Sequence, residues 1–304
     1  MIYTLTLNPA IDLALTVPTI AMNSVSRATS SREDAGGKGF NVSRMLNNLG
    51  CNNIALGMIA GANGQKLKAM LACEGIATRL LEVEGETRIN VSIAQGSEHI
   101  KVNDTGPSIC QLDLARLTEL VSQRAKAGDW WVLAGNLPAG VPTDYYARLV
   151  RRLKAAGCKV VVDTSGEALR HALVTQPNVV KPNIDEAKAL FGDLPLEQLC
   201  QCFIEQGAET VVISLGADGA VFFDGASHDA PNGNAVQKVA APKITERSAI
   251  AAGDSFVAGL VSQLESGQPL KKACQFAAAC GTATAAQPGT MLGSMADVEY
   301  LLAK

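Results

Sequence analysis

Short apolar runs rich in Val and Ile alternate with longer segments of helical period along nearly the whole chain, and this alternation constrains the fold more than any other feature. A strand buried on both faces reads as a continuous apolar run, so the pattern predicts a mostly parallel sheet with helices on both faces. The predicted strands are 2–7, 54–60, 130–134, 158–162, 178–181, 210–214 and 219–223. The predicted helices lie near 39–49, 63–75, 111–127, 143–156, 185–191, 196–206, 253–265 and 269–286. With 304 residues, 47% of them hydrophobic, the chain is long enough for one large α/β domain, and no Pro/Ser-rich or single-charge run marks a linker. The expectation is a single doubly wound α/β domain over residues 1–304.

Two stretches break the rhythm, 12–33 and 86–103. In the second, T-R-I-N-V-S-I-A-Q-G-S-E-H-I-K-V alternates polar with apolar residues around a Gly-Ser turn. Such alternation means strands with one wet face, so both stretches are expected to leave the central sheet and form a small β lid. A lid over the strand ends can close on a ligand and exclude water. An apolar outer face on it would pair two lids into a homodimer.

The formal charge of −3 supplies no net positive field, which argues against nucleic acid and anionic membrane as partners. M-I-Y-T-L-T-L-N-P-A-I-D-L-A-L lacks a basic leader and is broken by Asn8, Pro9 and Asp12, so it does not read as a signal peptide. No apolar run approaches a membrane span. Eight scattered cysteines, none in C-x-x-C spacing, read as reduced buried thiols of a cytoplasmic protein.

In a doubly wound sheet, ligands bind beyond the carboxyl ends of the strands, so polar groups just after strands carry most weight. A-G-G-K-G-F-N (35–41) opens a helix with three glycines and Lys38, suited to an anion or to a plain turn. S-A-I-A-A-G-D-S (248–255) leads small residues into a helix whose first amides would face a phosphate. Asp254 there belongs to such a site or is an N-cap. V-K-P-N-I-D-E (180–186) sets Asn183 and Glu186 three apart, as hard oxygen ligands for Mg²⁺ or as a capping pair. I-S-L-G-A-D-G (213–219) suits a nucleotide or a hairpin. Arg27, Lys38 and Arg88 are candidate anchors for a phosphate on the substrate.

These motifs, with N-P-A-I-D (8–12), T-R-I-N-V (87–91), G-N-L-P-A-G-V (135–141), D-T-S-G-E-A-L (163–169) and P-G-T (288–290), run in the order found in the PfkB carbohydrate kinase family, which the chain resembles over nearly its whole length. T-R-I-N-V and A-G-G-K-G-x-N point to the branch of 1-phosphofructokinases, tagatose-6-phosphate kinases and minor 6-phosphofructokinases. The resemblance implies a ribokinase-like fold and ATP-dependent phosphorylation of a ketohexose phosphate, with Mg²⁺. It implies Asp254 as catalytic base, beside an anion hole from the backbone of Ala251, Ala252, Gly253 and Asp254. Asp12, Gly37, Asn41, Asn90, Asn136 and Ser248 would serve the sugar, and Arg27, Lys38 and Arg88 its phosphate. Lys181, Asn183, Ser214, Gly216 and Gly219 would lie along ATP, with 277–285 near adenine and Asn183 and Glu186 holding Mg²⁺, through water.

Two departures bear on this. Ala251 stands where the family usually has the first glycine of G-A-G-D, which motivates an alternative reading as a sugar-phosphate-binding regulatory protein with weak or no kinase activity. Asn136 and Ser92 stand where the branch commonly has Ser and Lys, so the sugar is less fixed than the reaction.

Overall fold

The structure, a computed structural model, describes residues 1–21, 23–96, 98–225 and 235–304; Met22 and Ser97, inside the two lid stretches, lie outside the described residues. The strands are β1 (Ile2–Thr6), β2 (Ala10–Thr16), β3 (Ser30–Gly36), β4 (Asn53–Ala60), β5 (Thr78–Val83), β6 (Arg88–Gln95), β7 (Glu98–Val102), β8 (Trp130–Ala134), β9 (Lys159–Asp163), β10 (Val179–Val180), β11 (Thr210–Ser214), β12 (Ala220–Asp224) and β13 (Gln237–Val239). The helices are α1 (Lys38–Asn48), α2 (Gly61–Cys73), α3 (Gln111–Arg124), α4 (Tyr145–Ala155), α5 (Gly166–Leu173), α6 (Ile184–Phe191), α7 (Leu196–Glu205), α8 (Ala252–Glu265), α9 (Leu270–Ala285) and α10 (Met295–Leu302).

Among the described residues the main sheet has nine strands in the order β13-β12-β11-β10-β9-β8-β1-β4-β5. It is parallel from β11 to β5 and antiparallel only at β12 and β13. Side chains alternate across the strands and meet a different helical layer on each face. Leu5, Trp131, Leu133, Val160 and Val162 pack with α3, α4, α5 and α7. Ile2, Val132, Val161 and Val212 pack with α1, α8, α9 and α10. Every predicted strand and helix is present, with ends shifted by a few residues at most. β5, β13, α5 and α10 are additions that the apolar pattern did not reveal.

The two irregular stretches form a separate four-stranded sheet, ordered β3-β2-β6-β7, which takes in Ala10 and Gly36 just beyond the first predicted stretch. β2 lies parallel to β6 and antiparallel to β3. Its root is held to the main body by Ile11 and Ala35, which pack against Phe40, Ala55, Ile59, Leu67 and Leu71. This joint places the small sheet beside the carboxyl ends of the main strands.

Candidate active site

Parallel strands end their carbonyls on one edge of the sheet, where helices begin and leave unpaired amides. β9 ends there in Asp163, Lys181 follows β10, and α1 and α8 start with Lys38 and Ala252. The result is a compact group of charges. Lys38 Nζ lies 3.2 Å from Asp163 Oδ1 and 3.7 Å from Glu186 Oε1, and Lys181 Nζ lies 3.4 Å from the same Asp163 oxygen. Asp163 and Lys181 are almost fully buried. Burial by itself would raise the Asp163 carboxyl, but Lys181 and Lys38 outweigh it and hold the group below the usual carboxylate range. Asp163, next to Asp254 and Glu186, in turn keeps Lys38 charged against desolvation.

Asp254 sits in the first turn of α8 and is buried. It does not cap the helix: the N-cap is Ala251, with no side-chain cap bond. Its Oδ2 accepts a 2.9 Å hydrogen bond from Asn41 Nδ2 on α1. Desolvation pushes its carboxyl up to about 6, opposed by Lys38, Lys181 and the Asn41 bond and reinforced by Asp163. A carboxylate of that proton affinity is suited to accept a proton near neutral pH. Lys181 Nζ comes to 3.9 Å from the point a Cβ on Gly253 would occupy, so a cation stands at the amide end of α8. Ala251 turns into the helix with φ 60 and ψ 4, the left-handed conformation. The glycine-like turn is therefore kept, at a cost of about 1 kcal/mol.

On the lid side, Asp12 on β2 faces Asn90 on β6 in register, and Asn90 Nδ2 donates to Asp12 Oδ1 at 2.8 Å. A side chain at Gly36 would collide with the Asp12 carboxylate, so the close approach of β3 to β2 depends on glycine there. Burial raises the Asp12 carboxyl, with Asn90 and the Lys101 charge pulling the other way. Asp12, Asn90, Ser92 and Lys101 line a recess closed on its other side by Ile250 and Thr290, just ahead of α8 and just after α9. Gly37, at φ 110, is the N-cap of α1 and rides over Thr6 and Pro9.

Of the predicted phosphate anchors, two are engaged within the protein and the third is exposed. Arg88 donates to the Asn8 carbonyl at 3.0 Å and the Asp104 carbonyl at 2.9 Å, while burial lowers its proton affinity. Lys38 is engaged by Asp163. Arg27 lies exposed on the loop between β2 and β3. Arg88 Nε and Asn90 Oδ1, both buried in this neighbourhood, have no hydrogen-bond partner among the described residues, which suits a polar ligand there.

Asn183 and Glu186 form a capping box on α6: Asn183 Oδ1 accepts from the Glu186 amide at 2.7 Å, and Glu186 Oε2 from the Asn183 amide at 2.9 Å. Glu186 Oε1 remains and faces Lys38. Ser214 ends β11 and bridges Asn183, with its amide on the Pro182 carbonyl at 3.0 Å. Gly216 and Gly219 turn the chain behind it with φ 59 and 91. Asn136 is exposed after β8, and Ser248 Oγ donates to the Gly289 carbonyl at 2.6 Å, bracing the approach to α8. Residues 277–285 form the buried second half of α9.

Sequence reasoning passed over Asp163, the hub of the charge group, although its place at a strand's carboxyl end was the available signal. It also passed over Lys101, in the lid recess, and over Arg44, Asp34 and Thr290, which meet remote partners in the pairs Arg44–Glu74 and Thr290–Asp34.

The architecture and the sequence both have known counterparts. The model of the pfkB family carbohydrate kinases matches residues 5–297. The chain is 36% identical over 290 residues to the 1-phosphofructokinase of Bacillus subtilis (strain 168), covering 94% of this chain and 92% of that protein. It is 33% identical over 272 residues to a tagatose-6-phosphate kinase of Staphylococcus epidermidis (strain RP62A), covering 87% of this chain and 85% of that one. The crystal structure of phosphofructokinase-2 from Escherichia coli in complex with potassium superposes with a TM-score of 0.92 at 30% identity, over 99% of this chain and 98% of that chain. With a recess and buried carboxylate at the strand ends and this agreement from end to end, the chain belongs to the pfkB family of carbohydrate kinases and has their ribokinase-like fold.

Proposed function

We propose that the chain transfers the γ-phosphate of ATP to a hydroxyl of a ketohexose phosphate, with fructose 1-phosphate or tagatose 6-phosphate as the leading acceptors and fructose 6-phosphate a further candidate. The observation that carries this is the buried Asp254 carboxylate in the first turn of α8, with its proton affinity raised to about 6, Lys181 beside Gly253 in the same turn, and the lid recess reaching Ile250 just ahead of it.

In this reading the sugar lies in the recess against Asp12 and Asn90, with Asn41 and Gly37 below it and Ser248 and Asn136 at the rim. Its phosphate draws on Arg88 and Lys38, and on Arg27 if the loop between β2 and β3 folds inward. Asp254 accepts the proton of the attacking hydroxyl as the new bond forms. Phosphoryl transfer asks mainly for positioning and for compensation of charge on the transferred oxygens. The opening amides of α8, from Ala251 to Asp254, supply that compensation together with Lys181. The nucleotide phosphates run past Lys181, Asn183, Ser214, Gly216 and Gly219, toward the adenine end near 277–285.

The donor set fits Mg²⁺ held largely by water and phosphate oxygens. Among the described residues no group of three or more His, Cys, Asp or Glu side chains could hold a metal, while Glu186 Oε1 is a hard oxygen left over from the capping box. Glu186 and Asn183 would hold the ion's water shell. When bound, Mg²⁺ would neutralise charge on the phosphates during transfer.

A regulatory binder without kinase activity is the second reading, motivated by Ala251. The left-handed turn at Ala251 weighs against it, since the backbone adopts there a conformation that glycine adopts freely. A panel of hexose phosphates with ATP and Mg²⁺, followed by ADP release, tests both. Turnover with a ketohexose phosphate is expected; sugar-phosphate binding without ADP across the panel would establish the second reading instead.

Assembly belongs to the same proposal. The outer lid face carries Ile100 and Val102, 42% and 59% exposed, and a second copy of the lid would cover them in a homodimer. No helix among the described residues is long and apolar enough to cross a membrane, and a cytoplasmic location suits the proposed substrates.

A further inference from the structure

Arg44, on α1, is buried and lies outside the groups assigned to sugar, nucleotide and metal. Its guanidinium is held on three sides. Nε donates to Glu74 Oε2 at 2.7 Å, Nη1 donates to the Ala35 carbonyl at 2.9 Å, and Nη2 lies 3.5 Å from Asp34 Oδ1. Asp34 is itself fixed: Arg32 donates to both its oxygens at 2.7 and 2.8 Å, and Thr290 Oγ1 donates to Oδ2. The remaining reach of Nη1 is to Asn41 Oδ1 at 3.4 Å. That contact is informative because an amide is two-faced. A guanidinium can only donate, so it selects the oxygen of Asn41 and turns the NH₂ group the other way. The other way is Asp254, 2.9 Å from Nδ2.

We propose that Arg44 is a positioning residue for the reaction: anchored by Asp34, Glu74 and the Ala35 carbonyl, it locks the Asn41 amide with its NH₂ group toward Asp254 and so keeps the base aimed and ionised. The inference rests on the kinase reading of Asp254 and adds to it the group that orients its hydrogen-bond partner. Released from Arg44, the Asn41 amide can rotate and present Oδ1 to Asp254. An acceptor facing a carboxylate favours its protonated form, so the proton affinity of Asp254 rises. The other charges acting on Asp254 are Lys38 on α1, Asp163 at the end of β9 and Lys181 after β10, with Glu186 on α6 behind Lys38. None of them touches Arg44, so they stay in place when it is changed. The chain of contacts also reaches the ligand: Thr290, which fixes Asp34, lines the sugar recess, and Asp34 belongs to the lid strand β3.

The test is a carboxyl titration of Asp254 by NMR in the full chain labelled with ¹³C-carboxyl aspartate, the resonance assigned with Asp254→Asn. Arg44→Lys keeps a charge but cannot hold three acceptors at once; it is expected to raise the Asp254 midpoint by about one pH unit. In an Asn41→Ala background the same change is expected to add nothing, because Arg44 acts through that amide. A purely structural role would lower the melting temperature and leave the midpoint where it was. An unmoved midpoint in folded Arg44→Lys, or an equal rise with and without Asn41, overturns the proposal. Should Arg44→Lys not fold, Asp34→Asn combined with Arg44→Met removes both buried charges together. That variant must show the same rise, and an unmoved midpoint in it is equally decisive against the proposal. The titration needs no turnover, so a wild-type chain that forms no ADP would defeat the kinase reading while leaving this comparison to be decided on its own.

Discussion

Two carboxylates set the residue-scale chemistry, and burial treats them oppositely. Asp163 is pinned low by two lysines, whereas Asp254 is pushed up to about 6 because its partners do not fully offset desolvation. A general base acts when ionised, so the ionised fraction of Asp254, and kcat/KM with it, should climb as pH rises through about 6 and fall away below. A profile of kcat/KM between pH 5 and 8 that is flat through this region would remove Asp254 from the role. Asp163→Ala strands Lys38 and Lys181 without their shared anion, one of them almost fully buried. Urea unfolding should register a loss of about 3–5 kcal/mol, as for a buried pair broken from one side. Ala251→Gly works in the opposite direction. Relief of the left-handed alanine should add about 1 kcal/mol, less the greater freedom glycine has in the unfolded chain, and raise the Tm by about 1 °C at most. A melting temperature that falls instead would show that the turn at Ala251 is not strained.

At the scale of elements, capping and catalysis compete for the same atoms on α6. Asn183→Ala removes one half of the capping box and should cost about 1 kcal/mol in stability while raising the Mg²⁺ concentration needed for half-maximal rate. If stability falls and the Mg²⁺ dependence does not change, Asn183 is a cap and nothing more. The same elements show what a sequence reveals. Runs such as W-W-V-L-A and T-V-V-I-S announce buried parallel strands because both faces are apolar, and β8 and β11 lie where they predict. β5, T-R-L-L-E-V, escaped because an edge strand has one partner and carries polar residues. α5 and α10 span only eight residues each, too few for a helical period to stand out unaided; α6, equally short, was legible because Asn183 and Glu186 read as a capping pair just after a strand. The lid was legible from alternation alone. The charge group at the strand ends was legible where motifs follow strands or open helices, as with Lys38, Lys181 and Asp254. Contacts were not legible where the partner is remote: nothing in the residues around Arg44 signals Asp34 from β3 or Glu74 beyond α2, and nothing near Arg27 signals how its loop lies.

For the molecule as a whole, the lid and the main body share the cluster of Ile11, Ala35, Phe40 and Ile59. We propose that residues 1–304 fold as one unit on that account, and calorimetry should find a single cooperative transition in which the lid does not melt separately. If the outer lid face pairs two copies, Ile100→Asp together with Val102→Asp should turn a dimer into a monomer on gel filtration. A wild-type chain already monomeric at high concentration would end that part of the account. These large-scale features matter because they set the lid recess against Ile250, just ahead of the helix that carries Asp254, the carboxylate proposed to take the acceptor's proton. The most direct test is ADP formation by wild type and Asp254→Asn at saturating ATP, Mg²⁺ and ketohexose phosphate. A fall in kcat of about 10²–10⁴-fold with sugar-phosphate binding preserved is expected; a mutant that turns over at the wild-type rate would rule Asp254 out as the base.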